Sequence, residues 1–383
     1  MEQRILGRTG IRVSAVGMGC EGFEGKSEAA SRELLDFAIK KGIHFFDLYT
    51  SNPSVRRNVG SALSQYLRSH FVIQGHLGSA WKDGQYFRTR KINEVKEAFE
   101  NLLSDMKLDY VDIGMIHYCD SPTDFEIILN GPVMEYAKDL KQKGVIGCVG
   151  ISTHNPDVGF LAVESRLIDV IMLSVNPAYD MLPSNEDVNT LFEEGTFDRV
   201  YEGIDPKRDR LYQTCQNQGV ALTVMKPFAG GLLLDDKQSP FGRAMTPVQC
   251  ISYCLDRPAV ASVMGGMASE AEILAAVSYC SADIQEKDYS GILAGAPKSS
   301  FSGHCMYCGH CAPCAVKIDI ASVNKYLDLA LAQGFVPETV QNHYDLLEHH
   351  AGECIACGSC MKNCPFGTDV IHKMEQAADI FGK

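Results

Sequence analysis

Eight cysteines in the last quarter of the chain have the regular spacing of metal ligands. They form two runs, Cys305-x2-Cys308-x2-Cys311-x2-Cys314 and Cys354-x2-Cys357-x2-Cys360-x3-Cys364-Pro365. The chain starts with Met-Glu-Gln-Arg-Ile-Leu-Gly, which is not a secretory signal, so we expect a cytoplasmic protein. The cytoplasm keeps thiols reduced, and clustered cysteines there bind metal more often than they form disulfides.

The x2 spacing lets three successive thiolates contact one face of a metal cluster, so that the fourth ligand comes from elsewhere in the chain. The second run has the spacing of bacterial ferredoxins, in which the fourth cysteine binds the other cluster. We therefore predict two [4Fe–4S] clusters, one held by Cys305, Cys308, Cys311 and Cys364 and the other by Cys354, Cys357, Cys360 and Cys314. Tetrahedral zinc in CxxC pairs is the alternative, but it does not explain runs of three.

Upstream of these runs, short apolar segments alternate with amphipathic stretches of helical length. The predicted strands are Ser14–Gly19, Ile43–Asp47, Phe71–Gly75, Val111–His117, Cys148–Ser152, Val170–Val175, Ala221–Met225 and Ala261–Gly265. The predicted helices between them are Ser27–Lys41, Lys91–Met106, Pro132–Lys143, Pro156–Arg166, Lys207–Gln218, Thr246–Leu255 and Ser269–Cys280. Eight such units predict an α/β protein with a (β/α)8 TIM barrel. An open doubly wound sheet is the alternative, but no GxGxxG motif follows the first strand.

The composition changes near residue 283 and predicts two domains. Residues 1–282 are predicted as the barrel and 283–300 as a polar linker. Residues 301–383 are predicted as a small α-helical two-cluster domain with helices at Ile320–Gln333 and Pro337–His350.

Titratable and polar residues follow most of the predicted strands. Catalytic groups of a barrel of this type lie at the carboxyl ends of its strands, so these side chains are candidates for one site. They include Asp47, Tyr49, His76, His117, Ser152, His154, Asn176 and Lys226, and the backbone of Gly265 and Gly266 follows the last strand. A single Asp or His there is also a common helix cap, but three His and one Asp at one rim favour catalysis.

Several segments together resemble one known family. They are Arg4-Ile5-Leu6-Gly7-Arg8-Thr9-Gly10-Ile11-Arg12-Val13-Ser14, Phe46-Asp47, Gly60-Ser61-Ala62-Leu63, Asp109-Tyr110-Val111-Asp112, His117 and Met225-Lys226-Pro227-Phe228-Ala229-Gly230-Gly231. With both cysteine runs, the chain resembles the branch of the aldo/keto reductases that carries a C-terminal ferredoxin-type domain with two [4Fe–4S] clusters. The resemblance covers essentially the whole chain.

The resemblance implies NAD(P)H-dependent carbonyl reduction by an Asp-Tyr-Lys-His tetrad. Asp47 and His117 match the family aspartate and histidine, whereas Asn52 occupies the tyrosine position and His76 the lysine position. Asn52 cannot donate a proton at useful pH, but a histidine with a reference pKa near ~6.5 can. We therefore hypothesise that His76 or Tyr49 supplies the proton.

The resemblance also implies a nucleotide site, and parts of it are replaced. Gly265 and Gly266 can present backbone N–H groups to a phosphate, and Ser152 and Asn176 occupy the positions that hold the nicotinamide amide. The basic residue for the 2′-phosphate falls on Ala268, and the adenine-binding pair on Ala275 and Ala276. NAD(P)H as a cofactor therefore stays an open expectation.

The charge balance limits the choice of partners. Lys and Arg total 35 against 48 Asp and Glu, a net charge of −13, which disfavours nucleic acid. No apolar run is long enough to predict a membrane span.

The predicted function is an iron–sulfur oxidoreductase of aldo/keto reductase type. It would act on a small organic substrate in the barrel mouth, with carbonyl compounds as one option, and take electrons from ferredoxin or NAD(P)H. A lyase or dehydratase using His and Asp, and a non-catalytic electron-transfer protein, are the alternatives. The oligomeric state is not indicated by the sequence.

Overall fold

The structure is a computed structural model that describes residues 1–181, 203–237, 239–294, 305, 307, 311–333, 335–364 and 367–383. Within these residues, eight parallel strands close into a barrel in which each strand pairs with the next one along the chain. The strands are β1 Val16–Gly19, β2 Phe45–Leu48, β3 Val72–Leu77, β4 Val111–Ile116, β5 Ile146–Thr153, β6 Val170–Ser174, β7 Ala221–Met225 and β8 Val260–Gly266. The predicted (β/α)8 barrel is thus confirmed.

Helices of at least eight residues surround the barrel or follow it. Around the barrel they are α1 Glu28–Lys40, α2 Pro53–Leu63, α3 Ile92–Met106, α4 Pro122–Leu129, α5 Pro132–Gln142, α6 Pro156–Ser165, α7 Pro206–Gln218, α8 Pro247–Asp256 and α9 Glu270–Val277. In the C-terminal segment they are α10 Ile320–Gln333, α11 Glu338–Asp345 and α12 Val370–Phe381. None of the helices in the described ranges is both long and apolar enough to span a membrane.

A polar capping residue followed by proline begins five of the barrel helices. The cap side chain accepts a hydrogen bond from a backbone N–H of the first turn, and proline fits the first helical position because its missing N–H needs no partner there. The pairs are Asn52-Pro53, Ser121-Pro122, Asn155-Pro156, Asp205-Pro206 and Thr246-Pro247. Each pair lies in a loop between a strand and the helix after it, so the caps fix the backbone around the barrel mouth.

Apolar side chains form two separate layers in the barrel. The larger layer lies between strands and helices and includes Phe46, Phe99 and Leu211, all fully buried. The smaller layer fills the barrel interior, where Phe45 packs with residues of the other strands. Leu6, from the loop of an N-terminal hairpin that precedes β1, joins this interior layer.

Two thirds of the predicted linker, residues 283–294, lie in the described part of the chain. Two short helices, Ile284–Lys287 and Ser290–Ala294, follow α9. Tyr289, Ile292 and Leu293 are buried in the barrel's outer core. This stretch therefore belongs to the barrel because its apolar side chains pack there, and residues 295–300 lie outside the described part.

The C-terminal segment has an apolar core of its own and also contacts the barrel. Its core joins α10, α11 and α12 through residues such as Leu327, Tyr344 and Phe381. Cys364 packs against the barrel's outer core, and the Arg257 guanidinium lies 5.8 Å from the centre of the Tyr307 ring. The predicted helix Ile320–Gln333 is confirmed, and the predicted helix Pro337–His350 is shorter, at Glu338–Asp345.

Candidate active site

Four side chains form a continuous line of hydrogen bonds at the floor of the barrel mouth. Asp47, His76 and His117 come from the carboxyl ends of β2, β3 and β4, and Tyr86 comes from a hairpin that follows β3. The contacts are Asp47 Oδ1 to His76 Nε2, His76 Nδ1 to His117 Nδ1, and His117 Nε2 to the Tyr86 hydroxyl, each 2.8 Å. We call these four residues the Asp–His–His–Tyr chain.

Asp47 sets the direction of every hydrogen bond in this chain. An ionised carboxylate can only accept, so His76 donates its Nε2–H to Asp47 and, when neutral, accepts at Nδ1. His117 therefore donates Nδ1–H to His76 and accepts at Nε2 from the Tyr86 hydroxyl. Gln74 holds Asp47 in place by donating its Nε2–H to Oδ1 over 2.6 Å.

Burial sets the protonation states at the outer end of the chain. Asp47 and His76 are each 1% exposed and His117 is 7% exposed. Burial, together with the nearby His76 and the cations Arg90 and Arg88, lowers the pKa of His117 well below its usual value. Burial raises the pKa of the Tyr86 hydroxyl. At neutral pH, therefore, His117 is neutral and Tyr86 keeps its proton.

The two sequence candidates nearest to Asp47 lie in different places. Tyr49 lines the mouth, and its ring lies parallel to that of His117, with 6.4 Å between the ring centres. Burial, together with the carboxylates of Glu21 and Asp47, raises the Tyr49 pKa. Asn52 caps α2 by accepting from the Ser54 N–H and is not among the residues that line the mouth.

The mouth encloses a cavity of about 610 Å³ next to the Asp–His–His–Tyr chain. Thioethers and aromatic rings form much of its wall, and polar side chains are interspersed among them. The apolar lining includes Met172, Met225, Met264, Met267, Phe228 and Leu234. Asp47, His76 and His117 line the same cavity, which is therefore suited to hold a small organic molecule against the Asp–His–His–Tyr chain.

The residues predicted to bind a nucleotide are divided between the cavity and the core. Ser152, Lys226 and Gly266 line the cavity, and burial lowers the Lys226 pKa. Asn176 is fully buried outside the cavity, where it caps a short helix and donates to the Lys226 carbonyl. Gly265 is likewise not a lining residue, and the nearest atoms to its missing Cβ belong to the Phe228 ring.

Carboxylates occupy the end of the cavity where a nucleotide phosphate is expected. A Cβ on Gly266 would stand 2.3 Å from Glu21 Oε1, so this glycine leaves room for the Glu21 carboxyl. The Ala268 N–H, at the start of α9, donates to Glu272 Oε2 over 2.6 Å. Glu21 and Glu272 both line the cavity, and an ionised carboxylate repels phosphate, although burial raises the pKa of Glu21. The described residues here do not fit the phosphates of NAD(P)H.

A second histidine with a carboxylate partner lies on the cavity wall. His154 Nδ1 lies 2.9 Å from Asp120 Oδ2, and Asp120 Oδ1 accepts from the His154 backbone N–H over 2.7 Å. Burial opposes ionisation of Asp120, but its hydrogen bonds from His154 and Thr153 outweigh that effect and lower its pKa. Burial lowers the pKa of His154, despite the opposing effect of Asp120. His154 is therefore neutral at pH 7.

Four of the predicted metal-binding cysteines surround one small cavity in the C-terminal segment. Cys314, from the first run, lines it together with Cys354, Cys357 and Cys360 from the second. The remaining wall is mainly isoleucine and methionine. The Ala356 N–H donates to Cys354 Sγ, a contact of the kind that supports cluster sulfurs. This set of thiols is chemically suited to an iron–sulfur cluster.

The other four cysteines are described only in part, because Cys308 lies outside the described residues. The Asn324 side chain donates to Cys305 Sγ over 3.3 Å. Asn363, next to Cys364, donates to the carbonyl of Ala312, next to Cys311. Within the described residues, no three His, Cys, Asp or Glu side chains form a site for a single metal ion.

Tyr86 and Glu21 were not predicted as site residues from the sequence. Tyr86 lies on the antiparallel hairpin formed by Ser79–Lys82 and Gln85–Arg88, joined by Asp83-Gly84. Both turn residues have positive φ, 52° and 78°. The Asp-Gly dipeptide is a strong hairpin signal, so the hairpin itself could have been predicted. That its tyrosine reaches His117 could not.

Comparisons with known proteins show the family to which the chain belongs. The model of the Aldo/keto reductase family matches residues 15–248. The uncharacterized oxidoreductase YqkF of Bacillus subtilis is 27% identical over 70% of this chain and 87% of its own length. L-galactose dehydrogenase of Arabidopsis thaliana is 29% identical over 45% of this chain and 56% of its own length.

Solved structures support the same fold. The holo form of the aldo-keto reductase AKR11C1 from Bacillus halodurans superposes with a TM-score of 0.60 at 24% identity, covering 78% of this chain and 97% of that one. At this identity the likeness concerns the fold alone. The family model covers more than half of the chain, and its match includes the residues of β1 to β7 that form most of the mouth. The chain belongs to the aldo/keto reductase family and is an oxidoreductase.

Proposed function

We propose that this protein reduces a carbonyl group of a small organic molecule bound in the mouth cavity. The electrons would come from a one-electron donor of the ferredoxin class, through two [4Fe–4S] clusters in a ferredoxin-type domain formed by residues 301–383. The observation that carries the proposal is the Asp–His–His–Tyr chain: Asp47, His76 and His117 line an apolar cavity, and His117 Nε2 is hydrogen-bonded to the hydroxyl of Tyr86. The names of related proteins, such as oxidoreductase and dehydrogenase, favour the same class of reaction.

The hydrogen bonds of the Asp–His–His–Tyr chain connect the groups needed to deliver a proton. Reduction of a carbonyl to an alcohol consumes two electrons and two protons, and a proton must reach the carbonyl oxygen. In the form described above, the Tyr86 hydroxyl donates to His117 and is not directed to a substrate. One additional proton changes this, and it would reside on His76, where the buried Asp47 carboxylate 2.8 Å away stabilises positive charge.

The added proton reverses the hydrogen bonds between His76 and Tyr86. His76 then donates Nδ1–H to His117, and His117 donates Nε2–H to the Tyr86 oxygen. The Tyr86 hydroxyl is thereby released to donate to a carbonyl oxygen that a substrate in the mouth would place next to His117. Transfer of the Tyr86 hydroxyl proton to the carbonyl oxygen restores the first form of the Asp–His–His–Tyr chain. Tyr86 is thus the proton donor, and His117, His76 and Asp47 return a proton to its oxygen.

The cysteines of the C-terminal segment support the source of electrons. Bound clusters would supply single electrons. Cys314 would complete the set of Cys354, Cys357 and Cys360, as their shared cavity supports. Cys364 would complete the set of the first run. NAD(P)H is the less favoured donor because Glu21 and Glu272 occupy its phosphate end.

Turnover with a chemically reduced one-electron donor tests this proposal. The protein is purified without oxygen and supplied with reduced viologen and a panel of aldehydes and ketones, and alcohol formation is measured. Tyr86→Phe removes the proposed donor, and we expect a loss of about 10²–10⁴-fold in turnover, the usual contribution of a general acid. Tyr49→Phe is the matched control, since Tyr49 contacts His117 only by its ring face; we expect a change of a few-fold at most.

Two results would count against the proposal. If no carbonyl compound is reduced by cluster-loaded protein, the reaction class is wrong. If Tyr49→Phe loses turnover and Tyr86→Phe keeps it, the proton passes through Tyr49, as one of the sequence hypotheses has it.

A further inference from the structure

The buried ring of His154 has one nitrogen in use and one without a partner. Its side chain is 9% exposed, and Nδ1 lies 2.9 Å from Asp120 Oδ2. Among the described residues, Nε2 is buried and has no hydrogen-bond partner. A buried polar atom left unpaired is costly, so such an atom in a residue that lines a cavity indicates a ligand group. His154 is one of the residues that line the mouth cavity.

Asp120 determines what kind of group this nitrogen can bind. Asp120 is ionised and accepts at Oδ1 from the Thr153 hydroxyl and the His154 backbone, so Oδ2 is left to accept the Nδ1–H of His154. A neutral imidazole that donates at Nδ1 accepts at Nε2. The missing partner is therefore a hydrogen-bond donor, an O–H or an N–H.

The surroundings favour a neutral donor over a cation. Lys226 lines the same cavity and lies close enough to His154 to disfavour positive charge on that ring. An ammonium group at this position would be repelled by Lys226, whereas a hydroxyl would not.

The position of His154 relative to the proposed proton donor defines the ligand further. Tyr118 lies between the two histidines, with its ring centre 6.3 Å from that of His117 and 5.6 Å from that of His154. A group bound at His154 is thus separated from a carbonyl at His117 by several bonds. Four methionines line the same cavity, and methionine packs well against apolar and aromatic bodies.

We propose that the Asp120–His154 pair recognises a hydroxyl group, so that the substrate is a hydroxy-carbonyl compound with an apolar spacer between the two groups. This inference rests on the proposed carbonyl reduction for the role of the second group. His154 is a specificity-determining residue here and takes no part in proton delivery to the carbonyl.

Ligand binding without turnover tests the inference. The anaerobically purified full chain is titrated calorimetrically with acetophenones that carry a hydroxymethyl, methyl or aminomethyl group in the meta or para position. One net hydrogen bond corresponds to roughly threefold to tenfold in affinity, and we expect one hydroxymethyl isomer to bind tighter than its methyl analogue by that factor. The aminomethyl analogue should bind no better than the methyl one.

Two substitutions distinguish the role of His154 Nε2 from that of the hydrogen bond within the Asp120–His154 pair. His154→Asn keeps a donor to Asp120 near the Nδ1 position and removes the Nε2 acceptor, so the hydroxymethyl preference should fall to about one. His154→Gln places a polar atom near the Nε2 position and should keep part of the preference. Thermal unfolding of both variants checks that the fold is retained.

The inference is overturned by an equal affinity for the hydroxymethyl and methyl compounds, by a preference that survives in His154→Asn, or by tighter binding of the aminomethyl compound. Failure to bind any of the compounds also overturns it. These outcomes do not depend on electron supply. A protein that shows the preference but reduces nothing would refute the proposed function, whereas one that reduces methylacetophenone without any preference would refute only this inference.

Discussion

Each proposed cluster takes three cysteines from one run and its fourth from the other run. This arrangement makes a prediction that differs from the one expected if each run bound its own cluster with all four of its cysteines. Cys314 follows Cys311 in the first run, yet it lines a cavity with Cys354 and the other early cysteines of the second run. If Cys314 and Cys354 bind the same cluster, removing both damages one site twice. Removing Cys311 and Cys314 damages each of the two sites once. The two double variants therefore differ in outcome although each loses two thiols.

The magnitude follows from the number of irons in each site. Two [4Fe–4S] clusters give about eight irons and eight sulfides per chain. We expect Cys314→Ala with Cys354→Ala to retain about four, because the site completed by Cys364 is intact. We expect Cys311→Ala with Cys314→Ala to retain close to none after desalting. Cys280→Ala is the control, since Cys280 is half-buried beside Met1 in the barrel part and should not change the metal content.

The assay is iron and acid-labile sulfide per chain after oxygen-free purification, with circular dichroism to check the fold. The assignment is refuted if Cys311→Ala with Cys314→Ala keeps half of the iron while Cys314→Ala with Cys354→Ala loses all of it. Zinc in place of iron in the unmodified chain would refute the clusters themselves.

Two further predictions concern the mouth. Lowering the pH below about 6.5 should reduce the free energy of unfolding. His117 and His154 have depressed pKa values when folded, so the unfolded chain binds more protons there, and each adds up to ~1.4 kcal/mol per pH unit. Urea unfolding from pH 7.5 to 5.5 measures this slope, and replacing either histidine by glutamine should reduce it. Replacing Glu21 and Glu272 by glutamine should strengthen NADPH binding by about tenfold or more, since one ionised carboxylate a few ångströms from a phosphate repels it by ~1.4 kcal/mol or more at a protein-like dielectric constant. Burial raises the pKa of Glu21 and so reduces the share of Glu21 in this effect. Fluorescence titration of NADPH measures it, and unchanged binding would show that these carboxyls do not exclude the nucleotide.

The barrel strands could be predicted from sequence because each is a short apolar run buried on both faces. All eight predicted strands overlap the observed ones within a few residues. The helix α2 was not predicted, although Val55, Val59 and Leu63 give it a buried stripe at helical spacing; Arg56 and Gly60 are buried beside them and weaken the apolar pattern. Helix α12 was also missed, although Val370, Met374, Ala377 and Phe381 give it a buried stripe at helical spacing.

The candidate site could be predicted only in part. Asp47, His76 and His117 were identifiable because the carboxyl ends of neighbouring parallel strands must converge. Their order of hydrogen bonding depends on side-chain orientation and on strand register, which pairs Gln74 with Ile113 and His76 with Met115. No local pattern encodes that information. Tyr86 reaches the chain from a separate hairpin, so its role depends on tertiary packing.

Re-oxidation of the reduced protein by its substrate tests most directly whether electrons pass from the clusters to a carbonyl group in the mouth. Anaerobic protein is reduced with dithionite, freed of excess reductant, and mixed with a carbonyl compound that binds in the mouth, while cluster absorbance and alcohol are followed together. We expect the clusters to be re-oxidised with about one alcohol formed per two electrons released, and Tyr86→Phe to slow this step about 10²–10⁴-fold. Clusters that remain reduced in the presence of every bound carbonyl compound would contradict this electron transfer.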